Sequence, residues 1–171
     1  MRIEIENLEE LGGEFSKVYE GDELPLAETD VRLVAPVDVS GRMRKDGNEL
    51  EFKGELTTEV EVACGRCLRP VRLPVQSEFD ERFLSSVNWR HEEQHELKTE
   101  DLNIAVFDGE AIDLDELVRE EILLAVPSHV LCRDECEGLC PICGVDKNLE
   151  SCRCEENQTD SRWEKLKGLQ M

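Results

Sequence analysis

The chain has 171 residues, enough for one domain that buries roughly 70% of the surface its unfolded form exposes. With 39% apolar and 36% charged residues, the composition is that of a folded domain with one or two loose segments rather than of a disordered chain. The 20 Lys and Arg against 41 Asp and Glu leave a formal charge of −21; this excludes non-specific wrapping of nucleic acid around the whole molecule and leaves open a locally basic patch or a basic protein partner.

The opening stretch Met1-Arg2-Ile3-Glu4-Ile5-Glu6 has no apolar signal core, and no apolar run approaches the ~18 residues of a membrane span. The expectation is a cytoplasmic protein whose thiols stay reduced. Ile3 and Ile5 alternate with charged residues, and Val37 and Val39 alternate after Pro36, so both stretches predict strands. A turn at Asp46-Gly47 leads into the longest alternation in the chain, with Leu50, Phe52, Gly54, Leu56, Thr58, Val60, Val62 and Cys64 on one face and charged or polar residues between them. A period of two over that length means a half-buried strand, with Gly54 as a bend or bulge. The alternation resumes at Val71, Leu73, Val75, Ser77 and Phe79, which puts Cys64-Gly65-Arg66-Cys67 at a hairpin tip or a corner between two strands.

Residues 85–101 carry almost no apolar period and predict a long solvated loop. A short strand around Ile104 and Val106 and a turn at Asp108-Gly109 follow. Asp113, with Glu116 three residues later, predicts a capped helix over 114–126, its apolar face Leu114, Leu117, Val118, Ile122 and Ala125, ended by Pro127. Trp163, Leu166 and Leu169 predict a short C-terminal helix. The fold class is α+β: an antiparallel sheet or partial barrel with one or two packed helices and a Cys-rich, zinc-binding C-terminal segment. Residues 1–126 form the β-rich core with its helix and mobile loop, and residues 127–171 the zinc-binding segment.

Eight cysteines in a chain with no export signal, several of them in CxxC pairs, point to metal rather than disulfides. Cys140 and Cys143 can grip one ion from a single tight turn, with Gly144 relaxing the backbone, and Cys152 and Cys154 would complete four sulfurs. Cys64, Cys67, Cys132 and Cys136 would form a second site fastening the C-terminal segment to the hairpin tip, giving one or two Zn2+ per chain; a partition that exchanges Cys132 or Cys136 into the first site stays open. His129, three residues before Cys132, is a possible substitute ligand. Three other chemistries compete. Cys136, Cys140 and Cys143 have the spacing of a radical-enzyme iron cluster, but that chemistry needs a large parallel barrel. His91-Glu92-Glu93 with Cys140 and Cys143 imitates a zinc deaminase, yet the histidine lies in a polar linker and no proline precedes Cys140. His91 and His95 stand four apart in that same linker, where a solvated reading prevails. Four-sulfur sites leave no coordination position for water, and the chain has no triad, phosphate-cradling glycine loop or Walker lysine, so catalysis is not expected. An open, water-bearing zinc would mark an enzyme instead, and a zinc-stabilised protein-interaction module is the other competing class.

From His91 to Glu121 there are 12 acidic residues against Lys98 and Arg119, which is either a solvated face or a docking surface for something basic. Arg66, Arg69 and Arg72 follow the hairpin tip and could touch phosphate or a partner, although aromatic stacking partners are scarce. No small-molecule substrate is implied.

The run Cys64-Gly65-Arg66-Cys67-Leu68, the segment Ile112 to Pro127, the Glu137-Gly138-Leu139-Cys140-Pro141-Ile142-Cys143-Gly144 core of the later cysteines and the closing Asp160-Ser161-Arg162-Trp163 together resemble the YceD family, the bacterial and plastid proteins linked to accumulation of large-subunit ribosomal RNA. The resemblance runs from about residue 50 to the C-terminus, with Ser161 where the family commonly has proline. It implies a non-enzymatic factor for synthesis, processing or stability of large-subunit ribosomal RNA, with Cys64 and Cys67 as the family's central pair and the later cysteines as a cluster that not every member keeps. Its partner would be that RNA or its assembly intermediates, reached directly or through a basic ribosomal protein. The acidity favours the indirect route.

Overall fold

The computed structural model describes residues 2–4, 12–26, 30–47, 49–86, 104–107, 111–154 and 162. The predicted loop over 85–101 from residue 87 onward, the Asp108-Gly109 turn, His91, His95 and the C-terminal helix lie outside the described residues.

In chain order the elements are strands β1 (Arg2–Glu4), β2 (Gly13–Tyr19), β3 (Arg32–Leu33), β4 (Val37–Asp46), β5 (Glu49–Ala63), β6 (Pro70–Ser85), β7 (Ile104–Phe107) and β8 (Ala111–Asp113), then helix α1 (Leu114–Ala125). The main sheet runs β2-β4-β5-β6-β7, with β3 pairing β5 beyond the end of β4, and β1 pairs β8 in a separate two-stranded ribbon. The sheet is not closed. It is also mixed rather than purely antiparallel, because β7 lies parallel to β6, from Arg82 opposite Ile104 to Ser85 opposite Phe107. The intervening stretch of chain is long enough for the crossover that a parallel pair needs.

The β5-β6 hairpin is the spine, paired in unbroken register from Glu49 opposite Leu84 to Ala63 opposite Pro70. Its alternation follows the sequence: Leu50, Phe52, Leu56, Val60 and Val62 are buried on the face that packs inward. At the other end of β5 the turn from β4 is made possible by Gly47, whose φ of 60° is left-handed.

Gly54 is a point of close approach rather than a bulge. Phe15, Gly41, Gly54 and Phe79 stand opposite one another across four strands, and the rings of Phe15 and Phe79 stack at 6.4 Å over the two glycines. A Cβ on Gly54 would lie 2.6 Å from Phe79 Cζ. Missing side chains on the two middle strands thus let the outer rings meet.

Helix α1 buries Leu114, Leu117, Val118 and Ile122 against the sheet, each contributing about 1.5–3 kcal/mol as an upper bound. Asp113 caps it by accepting the Asp115 N–H at 3.0 Å. Tyr19 on β2 donates its hydroxyl to Asp115 Oδ1 at 2.6 Å; burial first, and then that bond, push the phenol's pKa up and keep it protonated. Val126, extended before Pro127, ends the helix. No helix among the described residues is long and apolar enough to cross a membrane.

Candidate metal centres

The hairpin tip is a tight turn whose geometry follows from its backbone. Leu68 N–H donates back to Cys64 O at 3.0 Å with Leu68 at φ 61°. The later pair repeats it: Gly144 N–H donates to Cys140 O at 2.8 Å with Gly144 at φ 74°. In each turn the first cysteine sits buried under amides. The Cys67 and Arg66 amides lower the pKa of Cys64 to about 6, and the Cys143 and Ile142 amides lower that of Cys140 to about 6.

The eight thiols gather into two groups of four, Cys64, Cys67, Cys132 and Cys136, and Cys140, Cys143, Cys152 and Cys154; within each, every Sγ lies within 4.8 Å of the others. Cys64 Sγ stands 3.9 Å from Cys136 Sγ, and Cys67 Sγ 3.6 Å from Cys132 Sγ. None of the eight is in a disulfide. Four thiolates at about 2.3 Å from a central zinc would be about 3.8 Å apart, so this spacing suits a tetrahedral ion. Electrostatics agree. Four thiols this close cannot all ionise without a cation among them, and burial pushes Cys132 up to about 12, while the hydrogen bond to Cys143, with burial, pushes Cys154 to about 12. Both groups could hold a metal ion. His129 is exposed and belongs to neither.

The first group joins chain segments far apart in sequence, because the hairpin tip makes its own bonds to the 130s. Gly65 N–H donates to Val130 O at 2.8 Å, and Leu139 N–H to Arg66 O at 2.9 Å. Cys64, Cys67 and Cys136 form a small buried cluster with Val71, Leu131 and Leu139 packed against it. Among the described residues, 127–154 contain no helix or strand, only the isolated bridge between Leu139 and Asp146.

The three arginines have structural partners. Arg66 donates to Cys136 O at 2.8 Å. Arg69 grips Asp146 Oδ2 through Nε at 3.0 Å and an η nitrogen at 2.6 Å, and this pair, followed by Asn148, holds the Asp146 carboxyl at about 2. Arg72 is the loosest, 3.8 Å from Glu61.

Two residues that sequence reasoning missed connect the groups. Asp146 and Asn148 sit in the loop between Cys143 and Cys152. Asn148 donates from Nδ2 to Asp146 Oδ1 at 2.6 Å and to Cys136 Sγ at 3.5 Å, while its Oδ1 accepts from Glu137 N–H at 3.0 Å. The loop of the second group thereby supports a sulfur of the first. An Asp-x-Asn between two cysteine pairs is a turn signal that could have pointed there.

Comparison with known proteins places this geometry. Residues 52–170, spanning the hairpin, α1 and both thiol groups, match a family model described as large ribosomal RNA subunit accumulation protein YceD. The chain is 30% identical over 157 residues to the uncharacterized protein YlbN of Bacillus subtilis (strain 168), covering 91% of this chain and 87% of that one. It is 32% identical over 132 residues to an uncharacterized protein of Mycobacterium tuberculosis (strain ATCC 25618 / H37Rv), covering 77% of this chain and 61% of the relative. An uncharacterized protein of Mycobacterium leprae (strain TN) is 26% identical over the same length. No solved structure matches the chain.

Proposed function

The chain belongs to the YceD family, and from that membership we propose that it is a non-enzymatic cytoplasmic factor supporting synthesis, processing or stability of large-subunit ribosomal RNA. The observation that carries this reading is the family match over 52–170, which takes in every element that builds the two thiol groups. Zinc is the ion we assign to both groups, since all-thiolate donors at tetrahedral spacing favour it. With four protein ligands each, such ions would be structural, fastening residues 127–171 to a framework formed by 1–126.

We assign the action to binding a basic assembly partner rather than to RNA itself. Two observations support this. The formal charge is −21. Arg69 is committed to Asp146 and Arg66 to backbone carbonyls, which leaves Arg72 as the tip arginine best placed to reach a partner. Such an acidic field attracts basic chains and repels phosphate.

The deciding experiment is the ratio of large- to small-subunit ribosomal RNA in cells depleted of the protein, with total RNA as control. A selective fall in the large-subunit species is expected. An unchanged ratio removes the ribosomal reading and leaves a metal-stabilised acidic binding module.

A further inference from the structure

Helix α1, β6 and β7 enclose a groove of about 480 Å³. Its floor is apolar: Phe83 of β6 stands opposite Ala105 of β7, with Phe107 two residues on along the same face and Leu117 of the helix. Its helix wall carries Glu116, Glu120 and Leu124 at spacings of four, so they line up on one side, with Glu121 beside them and Glu81 across from β6. Leu124 is 79% exposed at the rim of this apolar floor, so it extends the groove's apolar surface outward. Among the described residues, no Lys or Arg lines the groove.

Some carboxylates elsewhere on the sheet stand beside cations, Glu51 and Asp80 with Lys53, Glu49 with Arg82 and Glu61 with Arg72, whereas others, Glu55 and Glu78 among them, do not; what marks the groove is that its carboxylates ring an apolar floor. Among the described residues, none of Glu81, Glu116, Glu120 or Glu121 has a cation within 4.0 Å. Glu121 is 91% buried by its 9% exposure and accepts from Ser77 Oγ at 3.0 Å, so its carboxylate is fixed in place. Burial, and then repulsion from Glu121, Asp80 and Glu120, raise the pKa of Glu81. Such crowded carboxylates are relieved by an incoming positive charge.

We propose that this groove docks a Lys- and Arg-rich amphipathic segment of another protein, its apolar residues on the Phe83, Ala105 and Leu124 surface and its cations against Glu81, Glu116 and Glu120. Among the described residues an RNA backbone would meet five carboxylates, Asp113 included, and no cation. A second copy of a chain with charge −21 would bring mostly acid to acid. That the segment belongs to a large-subunit ribosomal protein rests on the function proposed above; the chemistry of the groove does not.

The test uses the full, metal-loaded chain with a photo-reactive amino acid in place of the exposed Leu124, irradiated in growing cells. The expected adduct maps to a Lys- and Arg-rich stretch of a large-subunit ribosomal protein and falls at least tenfold in the Glu116→Gln, Glu120→Gln double variant, both positions being exposed and outside the core. An adduct with RNA, with a second copy or with residues 155–171 of the same chain overturns the proposal, as does an adduct indifferent to the double variant. In parallel, a synthetic peptide of alternating Lys, Arg and Leu at helical spacing is titrated onto the purified chain. At least tenfold weaker binding by the double variant is expected, and equal binding overturns the groove. The two readings fail separately. If depletion leaves the ribosomal RNA ratio unchanged but the double variant loses the peptide, the ribosomal reading falls and the groove stands; if depletion lowers the ratio and the double variant restores it fully, the groove falls and the ribosomal reading stands.

Discussion

Leu68 and Gly144 carry the same backbone task with different side chains. Each follows a CxxC turn and donates back to its first cysteine from a left-handed conformation, at φ 61° and 74°. Glycine adopts that region freely; a leucine there costs about 1–2 kcal/mol, and at 64% exposure it recovers little by packing. Leu68→Gly removes that cost and returns about 0.5–1 kcal/mol of unfolded-chain entropy, so a net gain of about 0.5 kcal/mol is expected in urea unfolding of the metal-loaded protein. Leu68→Ala keeps the strain and should show no gain; equal behaviour of the two variants would mean that the turn carries none. Glu81 gives the pH counterpart. Its raised pKa means that the folded state holds this proton more tightly than the unfolded one. Its contribution to stability is therefore complete below the ordinary carboxyl value of about 4.3 and is lost as pH rises through the raised value. Glu81→Gln should accordingly unfold at a higher temperature than the parent near pH 7, with the difference shrinking toward pH 4; a gain that persists unchanged in acid would have another origin.

At the scale of elements, what was legible in the sequence is what the period of two and the capping pattern encode. The burial of Leu50 to Val62, the hairpin tip at Cys64 to Cys67, the β7 strand and a helix ending one residue short of the predicted Val126 all follow from spacing. Spacing also proposed the pairs that the structure gathers into two thiol groups. Strand β2 escaped because Phe15 and Tyr19 are separated by Lys17, whose ammonium lies 3.8 Å from the centre of the Tyr19 ring and 3.5 Å from Asp115, so a polar residue occupies an inward position. The direction of β7 escaped because alternation is the same for parallel and antiparallel pairing. The role of Gly54 was read as a local kink, whereas its reason is non-local: the register that puts Gly41 on one side of it and Phe79 on the other cannot be seen from one strand. Gly54→Ala tests that reason. Its Cβ would meet both Phe79 Cζ and Ser40 O at 2.6 Å, and one of these is backbone, so the sheet must shift and not just a ring. A loss of about 2 kcal/mol in chemical unfolding is expected. A neutral substitution would show that the Phe15 and Phe79 stack does not depend on the paired glycines.

For the whole molecule, the two thiol groups are not equivalent partners. The first ties residues 132–136 to the sheet, while the second closes a short loop joined to the first group's neighbourhood by Arg69 to Asp146 and Asn148 to Cys136. Residues 127–154 have little apolar mass of their own, with cysteines as their most buried side chains, so ligation has to supply the order that packing does not. Dependence should then run one way. Cys140→Ser is expected to lower bound zinc by one ion per chain and to abolish hydrogen-exchange protection at the Gly144 amide, while the Gly65 and Leu139 amides, which bond to Val130 O and Arg66 O, stay protected. Cys64→Ser is expected to strip protection from Gly65 and Leu139 and also to loosen the second loop, because the Arg69 and Asn148 contacts lose their frame, with the β5-β6 pairing remaining intact by circular dichroism. Metal counting by mass spectrometry under native conditions and exchange at these four positions decide it. Loss of protection that is the same in both variants would mean that the lobes fold as one unit. Loss confined to the mutated group in each would mean that Asp146 and Asn148 carry no coupling between them.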